Sequence, residues 1–201
     1  GKDCFGPALA KPSVHIFWWP RFERIASWFI ELEKHRRLNL VQSFSEQHGQ
    51  LQIDAPGGSF TLTAKADRID LRVDGTLDII DYKTGSLPSK TKLYSGEAPQ
   101  LALEAAIANN GGFNDLHSAQ SRALVHVRLS GGRPAGDWQM IDQNVPSLAA
   151  EASSGLARLV AAFDDETIPY HAVPSADRAP RHSNYTHLAR VSEWSSNGED
   201  V

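Results

Sequence analysis

The stretch K-A-D-R-I-D-L-R-V-D-G-T-L-D-I-I-D-Y-K-T-G, Lys65 to Gly85, decides how the rest of the chain is read. Its first half alternates, with Asp67, Ile69, Leu71 and Val73 on one parity and Arg68, Asp70 and Arg72 on the other. From Leu77 the alternation resumes: Ile79, Asp81 and Lys83 fall on one side, Asp78, Ile80 and Tyr82 on the other. Period two is the signature of a β-strand, and Asp74-Gly75 between two such runs marks a hairpin. Loop length then sets the faces. A two-residue loop would put Leu71 and Leu77 on opposite sides of the sheet, because a one-residue slip flips a strand. A three-residue loop, Val73-Asp74-Gly75 with Gly75 left-handed, brings Leu71 opposite Leu77, Ile69 opposite Ile79, Asp67 opposite Asp81 and Lys65 opposite Lys83. That register gathers the aliphatic side chains on one face and is the one expected.

Two aspartates therefore meet at the end of an apolar face, with Lys83 two residues beyond Asp81. Like charges across a ladder repel, and each carboxylate loses hydration there. A divalent cation would remove the conflict, since Mg²⁺ takes one or two carboxylates together with waters and phosphate oxygens. Mutual neutralisation of two lysines and two aspartates in salt bridges would do the same. The residues alone leave both readings open.

The A-D-R-I-D run followed by D-I-I-D-Y-K-T-G resembles the core of PD-(D/E)XK nucleases of the RecB type. Three further stretches narrow the likeness: F-W-W-P-R-F-E-R-I-A-S-W-F from Phe17, P-Q-L-A-L-E-A-A-I from Pro99 and H-L-A-R-V-S-E-W from His187. Together they resemble the C-terminal nuclease domain of AddB proteins of alphaproteobacterial type, part of the AddAB helicase–nuclease that processes broken DNA ends.

The resemblance implies an α/β (α+β) restriction-endonuclease-like fold, a mixed central sheet flanked by helices. It implies a nuclease domain over 1–201, a fragment of a longer chain, with a core at 59–130. It implies a Mg²⁺- or Mn²⁺-dependent deoxyribonuclease of exonuclease type, working on single-stranded DNA ends in double-strand break repair and recombination beside an AddA-type helicase. Asp67 and Asp81 would bind the metal, with the Tyr82 backbone carbonyl as a further ligand, and Lys83 would position or activate water or stabilise charge on the phosphate. Gln100 matches the glutamine of the Q-x-x-x-Y motif, whose tyrosine position here is Glu104. Thr84 and Lys65 are supporting candidates. A first-motif acidic residue would come from an upstream helix, which leaves Glu23 and Glu31 as candidates; the histidine that serves in RecB-like members has no matching segment, and His15 is not in that context. Many AddB proteins hold an iron–sulfur cluster on four cysteines. This chain has only Cys4, so no such cluster is expected.

The remaining composition fits a globular domain: 41% hydrophobic and 22% charged residues. No run of about 18 apolar residues occurs, so no membrane span is expected. A single cysteine offers no disulfide framework and no secretory pattern opens the chain, which points to the bacterial cytoplasm. Met140 is the only methionine. The net charge of −4 is unusual for a DNA enzyme, whose affinity comes from Lys and Arg on phosphates. It favours an alternative, a catalytically inactive DNA-end-binding or subunit-docking module of the same fold.

Elsewhere the periodicity predicts a helix over 16–37, with Trp18, Phe22, Ile25, Phe29 and Leu32 as its stripe and Pro20 in its first turn. Short strands are expected at Leu38–Phe44, Gly49–Ala55 and Ser59–Ala64, then a loop from Ser86 to Gly96 carrying Lys90 and Lys92. A helix is expected from Pro99 to Ala108, a strand from Arg122 to Leu129 and a helix from Val145 to Asp164. His126 in the strand reads as packed or paired. The segment 168–201 reads as an irregular tail, and its His171, His182 and His187 lack zinc-site spacing.

Overall fold

The computed structural model describes residues 2–170. Two units are distinguished, Gly1–Ala161 and Ala162–Val201, and the sheet with all its ladders belongs to the first. The expectations for His171, His182 and His187 lie outside the described residues, as does the stretch from His187.

A short helix α1 (Lys2–Phe5), a 3₁₀ turn and a π-type turn (Val14–Trp18) lead into α2 (Trp19–Arg36), with Pro20 in its first turn. Five strands follow: β1 (Leu40–Ala55), β2 (Gly58–Arg72), β3 (Leu77–Lys83), β4 (Ser121–Leu129) and β5 (Gly136–Ile141). They lie in one sheet in the order β1-β2-β3-β4-β5. Only the β3–β4 pair is parallel, and its crossover carries α3 (Lys90–Tyr94) and α4 (Gln100–Asn109). Helix α5 (Val145–Phe163) closes the described part. The sheet is therefore mixed and flanked by helices, the restriction-endonuclease-like arrangement expected.

The central hairpin has the three-residue loop. Arg72 N–H donates to Thr76 O at 2.9 Å, Gly75 adopts φ +78°, and Leu71 and Ile69 pair with Leu77 and Ile79. Asp74 Oδ1 accepts from both the N–H and the hydroxyl of Thr76, which pins the turn.

Two expected strands, 38–44 and 49–55, are one long edge strand, β1. Its polar middle looked like a turn, but an edge strand exposes much of its surface and tolerates polar side chains; Glu46 bends it with φ +56°. The Ser86–Gly96 loop contains α3, capped by Ser89, whose hydroxyl accepts from Lys92 N–H. Strand β5 has no clear alternation and escaped the sequence reading.

Each face of the sheet has its own core. On one face Ile69, Leu77, Ile79 and Leu124 pack with Leu101, Ala105 and Ile107 of α4 and with Val145, Leu148 and Ala149 of α5. On the other, Ile80, Ala123, Val125 and Val127 pack with Trp28 and Leu32 of α2. Strands buried on both sides carry near-continuous apolar runs, as D-I-I and A-L-V do here.

Beneath α2 the second face also buries charge. Arg68 grips Asp70 through two hydrogen bonds, 2.6 and 2.9 Å, and reaches Glu33 at 2.9 Å and the Tyr82 hydroxyl at 3.2 Å. Asp70 and Asp78, opposite each other in the ladder, are answered by Arg36, Arg72 and Arg122. Burial works against the Arg68 charge, yet its bonds to Asp70 and Glu33 leave its pKa above the ordinary value. Burial likewise pushes the Asp78 carboxyl up against the opposing pull of Arg122, Arg72 and Arg36.

Candidate active site

Asp67, Asp81 and Lys83 share the face that α4 covers, because alternation puts them in line with Ile69 and Ile79. The regular ladder between β2 and β3 ends at Arg68–Ile80, one step short of the two aspartates. There the Tyr82 N–H donates to Asp67 Oδ2 at 2.8 Å instead. Asp67 is half-buried, while Asp81 is 3% exposed.

Helix α4 brings Gln100 and Glu104 onto the same spot, one turn apart. Gln100 Nε2 donates to Asp81 Oδ1 at 2.8 Å and to Glu104 Oε1 at 3.1 Å. Lys83 Nζ donates to Asp81 Oδ1 at 2.9 Å and to Gln100 Oε1 at 3.1 Å. His126 of β4 is in register with Asp81 and is buried.

Negative charge outweighs positive in this cluster. Asp67, Asp81 and Glu104 face Lys83, and Glu104 is 4% exposed. Burial, reinforced by Asp81 and Asp67, pushes the Glu104 carboxyl up to about 7, against its bond from Gln100. Burial lowers the His126 pKa, opposed by Asp81 and aided by Lys83. Asp81 Oδ2 and Glu104 Oε2 are buried with no hydrogen-bond partner among the described residues. Buried acceptors are almost always satisfied, so two orphans in one cluster fit a cation. Among the described residues no three His, Cys, Asp or Glu side chains are gathered closely enough to hold one as they stand. The Gln100 amide occupies the space between two of the carboxylates.

The other expected residues lie elsewhere. Lys65 is ion-paired with Glu46 of β1, and the β2–β3 ladder ends before it would pair Lys65 with Lys83. Glu23 and Glu31 are exposed on α2, and Glu31 pairs with Lys34 at 2.6 Å. Since α2 covers the opposite sheet face, neither reaches the aspartates. The buried carboxylate of α2 is Glu33, held by Arg68. Thr84 is exposed just past the end of β3. Tyr82 turns its ring to the α2 side, edge-on to Phe29. Glu104 was missed as a site residue. Its signal was a lone charge inside the otherwise apolar L-A-L-E-A-A-I-A, four residues after Gln100.

A family model described as the PD-(D/E)XK nuclease superfamily matches residues 11–178. An uncharacterized protein of Rickettsia bellii is 32% identical over 101 residues, covering 50% of this chain and 12% of that protein. One from Rickettsia felis is 31% identical over 97 residues, 48% of this chain and 11% of that protein. A subunit of the ATP-dependent helicase/deoxyribonuclease of Clostridium perfringens is 38% identical over 97 residues, 45% of this chain and 8% of that protein. The chain thus corresponds to a small part of the length of these relatives.

Proposed function

Because the chain belongs to the PD-(D/E)XK nuclease superfamily, we propose that it hydrolyses DNA phosphodiester bonds at the cluster of Asp67, Asp81 and Lys83. The observation that carries this reading is the orphaned Asp81 Oδ2, buried beside a lysine and a half-buried aspartate. Nucleases of this superfamily generally use divalent metals. Asp67 and Asp81 would hold Mg²⁺ or Mn²⁺, with the Tyr82 carbonyl as a further oxygen. The ion supplies charge neutralisation at the phosphate and makes water a better nucleophile.

The chain's own residues do the rest. Tyr82 N–H fixes the Asp67 carboxylate. Gln100 orients its amide so that the carbonyl faces Lys83 and the NH₂ faces Asp81. Lys83, 35% exposed, keeps its ammonium at the mouth of the site, where it stabilises charge building on the scissile phosphate. Thr84 carries the chain away from that phosphate.

The likeness to the clostridial helicase/deoxyribonuclease supports a finer reading. The chain is the AddB-type nuclease part of a helicase–nuclease, trims single-stranded ends exonucleolytically during double-strand break repair, and works in the cytoplasm beside an AddA-type helicase. Among the described residues no helix is long and apolar enough to cross a membrane. The net charge of −4 favours a second reading, an inactive DNA-end or subunit-docking module.

Cleavage separates the two. Labelled single-stranded DNA incubated with this chain and Mg²⁺ or Mn²⁺ yields shortened products, and Lys83→Ala yields none. Intact DNA even with the longer parent chain and its helicase present would leave the docking module.

A further inference from the structure

Two residues past the Asp81–His126 pair, the parallel ladder aligns Lys83 with Arg128. Registered partners in a parallel pair share a face, so Arg128 emerges beside Lys83 on the α4 side. Neighbouring strands lie about 4.8 Å apart, so two cationic side chains rise from adjacent backbone positions at the carboxyl ends of β3 and β4. Lys83 has a close counter-ion in Asp81 at 2.9 Å. Arg128 does not. Its ion-pair partner among the described residues is Asp137 of β5, with Nη2 to Oδ2 at 3.6 Å, and that carboxylate is 56% exposed.

Arg128 Nε is buried and has no hydrogen-bond partner among the described residues. The sheet's other partly buried arginines are engaged. Arg68 holds Asp70 and Arg122 holds Asp78, each through two bonds, and Arg72 donates to the Arg36 carbonyl at 2.8 Å. A guanidinium offers five donors in a planar fork that matches phosphate oxygens. Here the fork lies at the strand ends where ligands of α/β sheets bind. An unsatisfied N–H and a second cationic residue at the registered position both suit an anion.

We propose that Arg128 anchors the substrate strand by binding a backbone phosphate of single-stranded DNA next to the one presented to Lys83. Asp137 holds the fork loosely until DNA arrives. Arg128 is a binding residue, separate from the reacting groups, and the proposal rests on the nuclease reading above.

The test is equilibrium binding of a fluorescent single-stranded oligonucleotide to the full chain in EDTA, followed across salt concentrations. Arg128→Gln weakens binding roughly fivefold and lowers the salt slope by about 0.7, the value for one lost phosphate contact on a single strand. Arg128→Lys keeps the slope. Asp137→Asn frees the fork and tightens binding, a gain that misfolding does not imitate. An unchanged slope in Arg128→Gln, or no gain in Asp137→Asn, overturns the assignment while leaving the nuclease reading intact if cleavage persists. A wild-type chain that does not bind single-stranded DNA overturns the assignment, and DNA left intact even with the longer parent chain and its helicase present overturns both.

Discussion

Asp81 and Glu104 hold the clearest chemical tension in the molecule. Each is more than nine-tenths buried, each has one oxygen without a partner among the described residues, and both accept hydrogen bonds from the Gln100 amide. The sign of the resulting pH effect follows directly. Glu104 has a folded pKa of about 7, above the ordinary 4.5. Below about pH 4.5 the carboxyl is protonated folded or unfolded, so it costs nothing. As pH rises towards 7 the unfolded chain ionises first and the fold loses stability, by up to roughly 3 kcal/mol. Glu104→Gln should therefore raise the metal-free melting temperature at pH 8 and leave it nearly unchanged at pH 4.5. An equal gain at both values would show that the charge is not the source. Arg68 is the complementary case on the other face. Arg68→Met leaves Asp70 and Glu33 buried with lost partners and should destabilise by about 3–5 kcal/mol in urea unfolding, far more than loss of an exposed ion pair such as Glu31–Lys34.

Among the elements, the β2–β3 hairpin decides which side of the sheet carries the site. Gly75 at φ +78° needs no side chain's tolerance, so Gly75→Ala costs about 1 kcal/mol from backbone strain. Deleting Val73 is a harsher experiment. It leaves the two-residue Asp74-Gly75 loop, turns Asp81 towards α2 and Ile80 towards α4, and should abolish folding or cation binding even though Val73 is 66% exposed. Unaltered behaviour of the deletion variant would refute the register argument. A second packing constraint lies at Gly112, where an added Cβ would run into the Gln50 carbonyl oxygen at the junction of α4 and β1. Gly112→Ala should cost about 2 kcal/mol, read from the denaturation midpoint.

This hairpin was legible in sequence because aliphatic and charged residues alternate without a break and the turn residues are specific. Helix α4 was legible from its Pro99 start and Gly111-Gly112 stop. Strand β1 was not, because an edge strand half in water carries polar residues that imitate a turn. Glu33 and Glu104 were not singled out for one shared reason: the sequence pattern does not show which charged side chain will be buried, and only tertiary contact reveals the arginine or amide that meets it. That Asp67, Asp81 and Lys83 share a face was readable from the strand pattern, and the Q-x-x-x-Y likeness pointed to Gln100, whereas its bonds to Asp81, Lys83 and Glu104 needed the packing of α4. The end of the ladder was not legible: one step before the two aspartates would pair, a backbone N–H bonds the Asp67 carboxylate instead.

At the scale of the whole molecule, a chain with net charge −4 and a −2 imbalance in its cluster, if Asp67, Asp81 and Glu104 ionise against Lys83, is a weak binder of polyanions without help. Its isolated affinity for single-stranded DNA should fall near the non-specific range, a Kd of about 10⁻⁴–10⁻⁶ M at physiological salt, and tighten with the proposed helicase partner added. Nanomolar binding by the chain alone, measured by fluorescence anisotropy, would place the DNA grip inside this domain instead. The same imbalance makes the proposed cation the component to test. Calorimetric titration of the full chain with Mg²⁺ or Mn²⁺ at pH 8, beside Asp81→Asn of matched thermal stability, tests this most directly. Saturable binding by the wild type that disappears in Asp81→Asn is the predicted result. Equal binding by both, or none by the wild type with single-stranded DNA present, would contradict a metal-dependent site at Asp67, Asp81 and Lys83.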